Sequence, residues 1–145
     1  MTRVIAIDPG ISKCGLIVAD IREKKVYEAV VINSNLLLKY VKKKYQNEQY
    51  LQFIIGNGTS SKNYIKDLNQ LVPNLIIAEE KNSTYRAKQR YFEIFPLLGI
   101  NSFLPREIFI LNKNLDALAA LIIMEDYFQF KFDFSEKVET KTWLK

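Results

Sequence analysis

At 145 residues, 48% hydrophobic and 26% charged, the chain has the size and make-up of one globular domain with a substantial core. Histidine is absent and cysteine occurs once, as Cys14, which excludes Ser–His and Cys–His nucleophile pairs, histidine-bearing zinc sites and an internal disulfide. A formal net charge of +5 leans towards polyanionic partners, and no run of about eighteen apolar residues predicts a membrane span.

The chain enters a strand pattern at once, with no basic leader and no signal-like apolar core, so a cytoplasmic protein is expected. Residues 3–8 read as a buried strand turned by Pro9-Gly10. Residues 14–19 and 25–32 read as two more strands, and the short turns between them predict an antiparallel meander. Asn33 or Ser34 is placed to cap a helix to about Gln46, with Leu36, Leu37, Tyr40 and Val41 as its apolar stripe. A fourth strand, 51–55, ends at Gly56-Asn57-Gly58-Thr59. A helix over 60–71 follows, then a fifth strand at 75–78.

Asn82 or Ser83 should cap a helix running to about Phe95, where Pro96 stops it. Residues 97–112 look loop-like, with one short hydrophobic run at 108–111. The last helix spans about 114–130. The fold class is thus α/β, with helical crossovers joining its later strands. Residues 1–130 form the expected domain, and 131–145 a tail that docks loosely or frays.

Three acids carry the candidate chemistry. Asp8 ends the first strand, Glu80 follows the fifth, and Asp116 opens the alanine-rich last helix. Singly, each has an ordinary explanation: a turn residue before Pro-Gly, a solvated strand end, a first-turn helix acid. Together they lie where ligands of open α/β sheets bind, beyond the carboxyl ends of strands. Converging there, they would hold hard divalent cations through oxygen. Ala117, Ala119 and Ala120 would let the last helix approach the sheet closely. With no histidine, carboxylates and a bound metal are the natural catalytic equipment.

Cations cluster in two places. Lys39, Lys42, Lys43 and Lys44 read as a solvated helix face. Lys81, Arg86, Lys88 and Arg90 follow the Glu79-Glu80 pair, where phosphate positioning needs positive charge. Gly56, Asn57 and Gly58 could offer backbone amides to a phosphate, though a plain strand-to-helix turn explains them equally well.

These motifs resemble the YqgF family of RNase H-like nucleases, relatives of the RuvC-type junction resolvases. Ile5-Ala6-Ile7-Asp8-Pro9-Gly10 with Gly15 is similar to the family's opening hairpin. Glu79-Glu80-Lys81-Asn82-Ser83-Thr84 is similar to its acidic-glutamate-basic segment, and Leu115-Asp116-Ala117-Leu118-Ala119-Ala120 to its final motif. The resemblance covers nearly the whole chain. It implies a five-stranded mixed sheet of RNase H type, its first three strands antiparallel. It also implies metal-dependent phosphodiester hydrolysis, with maturation of the 5′ end of 16S ribosomal RNA as the biological role. Asp8, Glu80 and Asp116 match the catalytic acids. Glu79 stands where the family has aspartate, and strand alternation lets only one of the two glutamates face the site. Glu80 aligns with the motif.

Lys113 occupies the position where resolvases carry a fourth ligand. It points to the YqgF branch and could touch the scissile phosphate. The expected mechanism has Asp8 bridging two Mg²⁺ or Mn²⁺ ions roughly 4 Å apart, flanked by Glu80 and Asp116. Ser83, Thr84, Arg86 and Lys88 position phosphates. Tyr85 and Tyr91 fit a helix core better than a base-stacking surface. The alternatives are a Holliday junction resolvase acting on structured DNA and a non-catalytic RNA-binding adaptor. A monomer and a homodimer are both open, and no membrane partner is expected.

Overall fold

The computed structural model describes residues 2–47, 49, 52–58, 60–105, 112–135 and 137–143. The chain forms an α/β structure with a six-stranded mixed sheet and four helices. The strands are β1 (Arg3–Asp8), β2 (Lys13–Asp20), β3 (Lys25–Asn33), β4 (Gln52–Gly56), β5 (Leu75–Ala78) and β6 (Thr140–Trp143). The helices are α1 (Leu37–Asn47), α2 (Lys62–Leu71), α3 (Ser83–Ile94) and α4 (Asn112–Phe128). Across the sheet the order is β5-β4-β1-β2-β3-β6. β1, β2 and β3 pair antiparallel, as the short turns predict, whereas β4 lies parallel to β1 and β5 parallel to β4.

Strand alternation sorts the core into two layers. Val4 and Ala6 of β1 face α3 and α4, joined by Ile17, Ile54, Ala87, Tyr91 and the buried run Ala117–Met124. Ile5 and Ile7 face the other way, onto Leu37, Tyr40 and Val41 of α1 and Leu68 of α2. A strand with both faces covered needs consecutive apolar residues, which is why β1 and β4 read as unbroken hydrophobic runs. α4 is apolar on nearly every side for the same reason, since it packs across β1, β2 and β3 and beneath α3.

The expected five-stranded sheet is corrected to six. The additional strand comes from the tail, where Thr140–Trp143 pairs parallel to β3 along its free edge. The path there is pinned at several points. Asp133 N donates to Lys24 O at 2.7 Å, and Val26 N donates to Asp133 O at 2.9 Å. The Lys24 ammonium stands over the Phe130 ring. The strand Thr140-Lys141-Thr142-Trp143 carries no apolar run, and pairing on one side only demands none, which hid it from the sequence.

Two expected caps do other work. Asn33 makes no side-chain cap hydrogen bond at the 3₁₀ turn Ser34–Leu36 that precedes α1. Ser34 Oγ instead donates to the carbonyls of Gly10 and Ile11, tying the β1–β2 turn. Asn82 precedes α3 in the left-handed region at φ 50°, again without a side-chain cap. The hydrophobic run 108–111 lies outside the described residues. Among the described residues, no helix is long and apolar enough to cross a membrane.

Candidate metal and phosphodiester site

Asp8 sits at the carboxyl end of β1, in the middle of the sheet, opposite Gly15 of β2. It continues the face of Val4 and Ala6, which puts its carboxyl on the α4 side. Gly15 allows α4 to close on that strand: a Cβ there would lie 1.8 Å from the Asp116 carbonyl oxygen. The alanines that follow Asp116 are buried, so close helix–sheet approach is what carries Asp116 to the strand mouth.

Glu80 is fastened from three directions. Its backbone N–H donates to Asn57 Oδ1 at 3.0 Å, while Asn57 N–H donates to the Ala78 carbonyl at 2.9 Å. Ser83 Oγ donates to Glu80 Oε1 at 2.9 Å. Gly56 and Gly58 leave room for the carboxylate, since a Cβ on either would come within 2.9 and 2.7 Å of Oε2. The glycine turn read as a possible phosphate cradle therefore wraps Glu80. Neither residue is a positive-φ glycine, so the reason for glycine here is space. Glu79 points away: it is exposed and pairs with Lys81 at 3.0 Å. Of the two glutamates, Glu80 is the one whose carboxylate turns towards the glycine turn.

The charges of Glu80 and Asp116 are felt at Asp8. Burial pushes the Asp8 carboxyl up to about 8, helped by the charge of Glu80, a hydrogen bond with that carboxyl, and the charge of Asp116. Asp116 is also raised by burial, and Lys13 opposes that rise. Lys13 belongs to the face of β2 that carries Gly15, one pleat nearer the mouth, which places it beside Asp116.

The candidate donors are hard oxygens, the type a divalent cation takes, and Glu80 Oε2 is buried without a hydrogen-bond partner. As the side chains stand, no group of three or more acidic or thiol side chains forms a complete ligand set among the described residues. A proton on Asp8 eases the repulsion in this cluster, and a cation replacing that proton would ease it further.

A cleft of about 520 Å³ opens over Glu80, walled by Pro9, Gly58, Asn82, Ser83, Thr84 and Tyr85. Thr84 is exposed in that wall, while Ser83 is buried and engaged with Glu80. Arg86 is placed differently from expectation, its guanidinium gripping Asp126 of α4 with two bonds of 2.5 and 2.6 Å. Lys88 is exposed but outside the cleft wall. Arg90, expected near phosphate, is mostly buried against Glu125. The Lys113 side chain lies outside the described residues. Tyr91 is buried as expected; Tyr85 is not. The buried positions of α3 are Ser83, Ala87, Tyr91 and Ile94, and Tyr85 falls off that stripe.

Lys13 escaped the sequence reading, though counting alternation from Gly15 would have found it. Asn57, read for its backbone amide, instead holds Glu80 through its side chain. No family model matches the chain, and a search of curated proteins finds no significant match.

Proposed function

We propose that this protein is a divalent-metal-dependent nuclease of RNase H-like architecture, allied in kind to the YqgF family. Support from the fold lies in the order β5-β4-β1-β2-β3, with an antiparallel meander followed by two parallel strands, to which β6 is an addition. Support from the sequence lies in the three motifs that carry the resemblance. The observation that carries the reading is Asp8: a carboxyl at the central strand mouth, raised to about 8 by burial and by two neighbouring acids. Structural acids are seldom left in that state, and strongly shifted carboxyls are characteristic of functional sites.

Asp8, Glu80 and Asp116 would hold the metal. When bound, it supplies an activated water and charge neutralisation at the phosphoryl oxygens. The protein's own groups prepare the site. Ser83 and Asn57 hold Glu80 in the wall of the cleft. Gly15 keeps α4 and Asp116 against the sheet. Lys13 and Thr84 would meet a phosphate. The proposed substrate is RNA, with precursor 16S ribosomal RNA the first to try.

Isothermal titration with Mg²⁺ and Mn²⁺, paired with cleavage of precursor 16S RNA and of a four-way DNA junction, tests this directly. Wild type should bind the ion and cut RNA. Asp8→Asn should lose both while still binding RNA. Cutting confined to the junction would favour the resolvase alternative, and absence of ion binding in wild type would favour the adaptor.

A further inference from the structure

Asp8 and Glu80 are held by separate turns, and one side chain on the far face of the sheet ties those turns together. Tyr64, in the first turn of α2, packs against the core layer that contains Ile7, Leu37 and Leu68. Its hydroxyl donates to the Gly10 carbonyl at 2.9 Å, two residues beyond Asp8. The Ser34 hydroxyl and the Cys14 thiol lie within hydrogen-bonding reach of the same phenol. A phenylalanine would fill the apolar layer equally well, so packing alone does not call for the hydroxyl.

The helix that carries Tyr64 grows out of the turn that wraps Glu80. Ser61 N–H and Oγ both donate to the Gly58 carbonyl, at 3.0 and 2.7 Å, and Tyr64 N–H donates to Ser61 O at 3.0 Å. Asn57, from the same turn, accepts the Glu80 backbone N–H. A short run of hydrogen bonds thus leads from Glu80 through Asn57, Ser61 and Tyr64 to Gly10.

On the Asp8 side, Ser34 takes three successive carbonyls of the β1–β2 turn. Its Oγ donates to Gly10 O at 3.2 Å and to Ile11 O at 2.8 Å, and its N–H donates to Ser12 O at 2.9 Å. The turn also closes tightly, since a Cβ on Gly10 would lie 2.1 Å from the Lys13 carbonyl oxygen. Asp8 at its start and Lys13 at its end therefore belong to one braced segment. Neither Tyr64 nor Ser34 lines the cleft over Glu80. Groups that orient a metal's ligands from outside typically change affinity or activity by about 10–100-fold when removed.

We propose that Tyr64 is a positioning residue whose hydroxyl sets the spacing of the Asp8 and Glu80 carboxyls, with Ser34 bracing the turn on the Asp8 side. The proposal rests on these acids being a metal site and adds what holds them in register.

The test uses the full chain as wild type, Tyr64→Phe, Ser34→Ala and Leu68→Val. The last trims the same helix in the same core layer, one turn farther along, and serves as the packing control. Mn²⁺ affinity is measured by isothermal titration, stability by melts without the ion, and RNA affinity in EDTA. Cleavage of precursor 16S RNA at saturating Mn²⁺ supplies kcat and KM. Tyr64→Phe should bind Mn²⁺ about tenfold more weakly and cut with a lower kcat, at unchanged RNA affinity and KM. Ser34→Ala should move the same way. Leu68→Val should melt lower yet keep the ion affinity and kcat of wild type. Wild-type Mn²⁺ affinity in Tyr64→Phe overturns the positioning role and leaves the nuclease intact. So does a loss of ion affinity in Leu68→Val that matches Tyr64→Phe at equal loss of melting temperature. A wild type that binds the ion but cuts nothing overturns the nuclease, while the ion affinities of the variants still decide the positioning role. A wild type that binds no ion overturns both.

Discussion

Asp8 carries an unusual burden for so small a side chain. Its carboxyl sits near 8 instead of the ordinary 3.8, chiefly because burial disfavours the charged form and secondarily because Glu80 and Asp116 are close. Between those two values the folded protein keeps a proton that the unfolded chain has released. Stability of the metal-free protein must then fall as pH rises from about 4 to about 8. Asp8→Asn removes the titrating group while preserving size. It should raise the melting temperature of the metal-free protein, more at pH 8 than at pH 5. Wild type should gain stability from Mn²⁺, by about 2.7 kcal/mol at a hundredfold excess over Kd, whereas the variant should gain none. Thermal melts at the two pH values, with and without the ion, check both statements. A variant no more stable than wild type at pH 8 would show that burial does not press on this carboxyl.

At the scale of elements, α3 and α4 depend on one buried ion pair. Arg90 of α3 donates to Glu125 of α4 at 3.0 Å, and Glu125 is only 7% exposed. The same glutamate accepts the Phe132 backbone N–H at 3.0 Å, while Arg90 also donates to the Phe132 carbonyl at 2.7 Å. Helix, helix and the start of the tail are thus locked at one point. Glu125→Ala would leave the buried Arg90 guanidinium with only the partly exposed Glu93 carboxylate and the Phe132 carbonyl, and would orphan a buried amide. Its expected cost is about 3–5 kcal/mol in denaturant melts. The Arg86–Asp126 pair one turn away is more exposed and should contribute much less. Because α4 also delivers Asp116, loosening this junction should weaken metal binding even though Glu125 is no ligand.

For the whole molecule, the tail decides how the sheet ends. β6 covers the edge of β3, which would otherwise present unpaired backbone groups. Truncation after Ser135 removes that cover. The shortened chain should melt several degrees lower and self-associate through the bared strand, as read by melts and by light scattering. Metal binding should survive, because the acids sit at the mouths of β1 and β5, across β2 and β3 from the truncated edge. Loss of ion binding together with loss of the edge would tie the tail to the site more closely than the topology suggests.

Local pattern was enough to read most of this architecture. Unbroken apolar runs marked strands covered on both faces, short turns marked the meander, and a 3.6-residue period marked the helices. The positions of Asp8 and Glu80 at strand ends were legible because the apolar runs before them stop there. β6 was not legible, since an edge strand paired on one side leaves little trace in hydrophobicity. Side-chain direction was legible only where periodicity reached. Tyr85 could have been read as exposed from the α3 stripe, but nothing local distinguishes Arg86 held by Asp126 from Arg86 free for phosphate. Glu79 and Glu80 are neighbours of the same chemistry, and it is the Asn57 and Ser83 contacts, with the space left by Gly56 and Gly58, that draw one inward. Composition and period thus determined the elements and the kind of chemistry available. Tertiary packing decided which charges face the cleft, because burial and partnership are relations between segments distant in the chain.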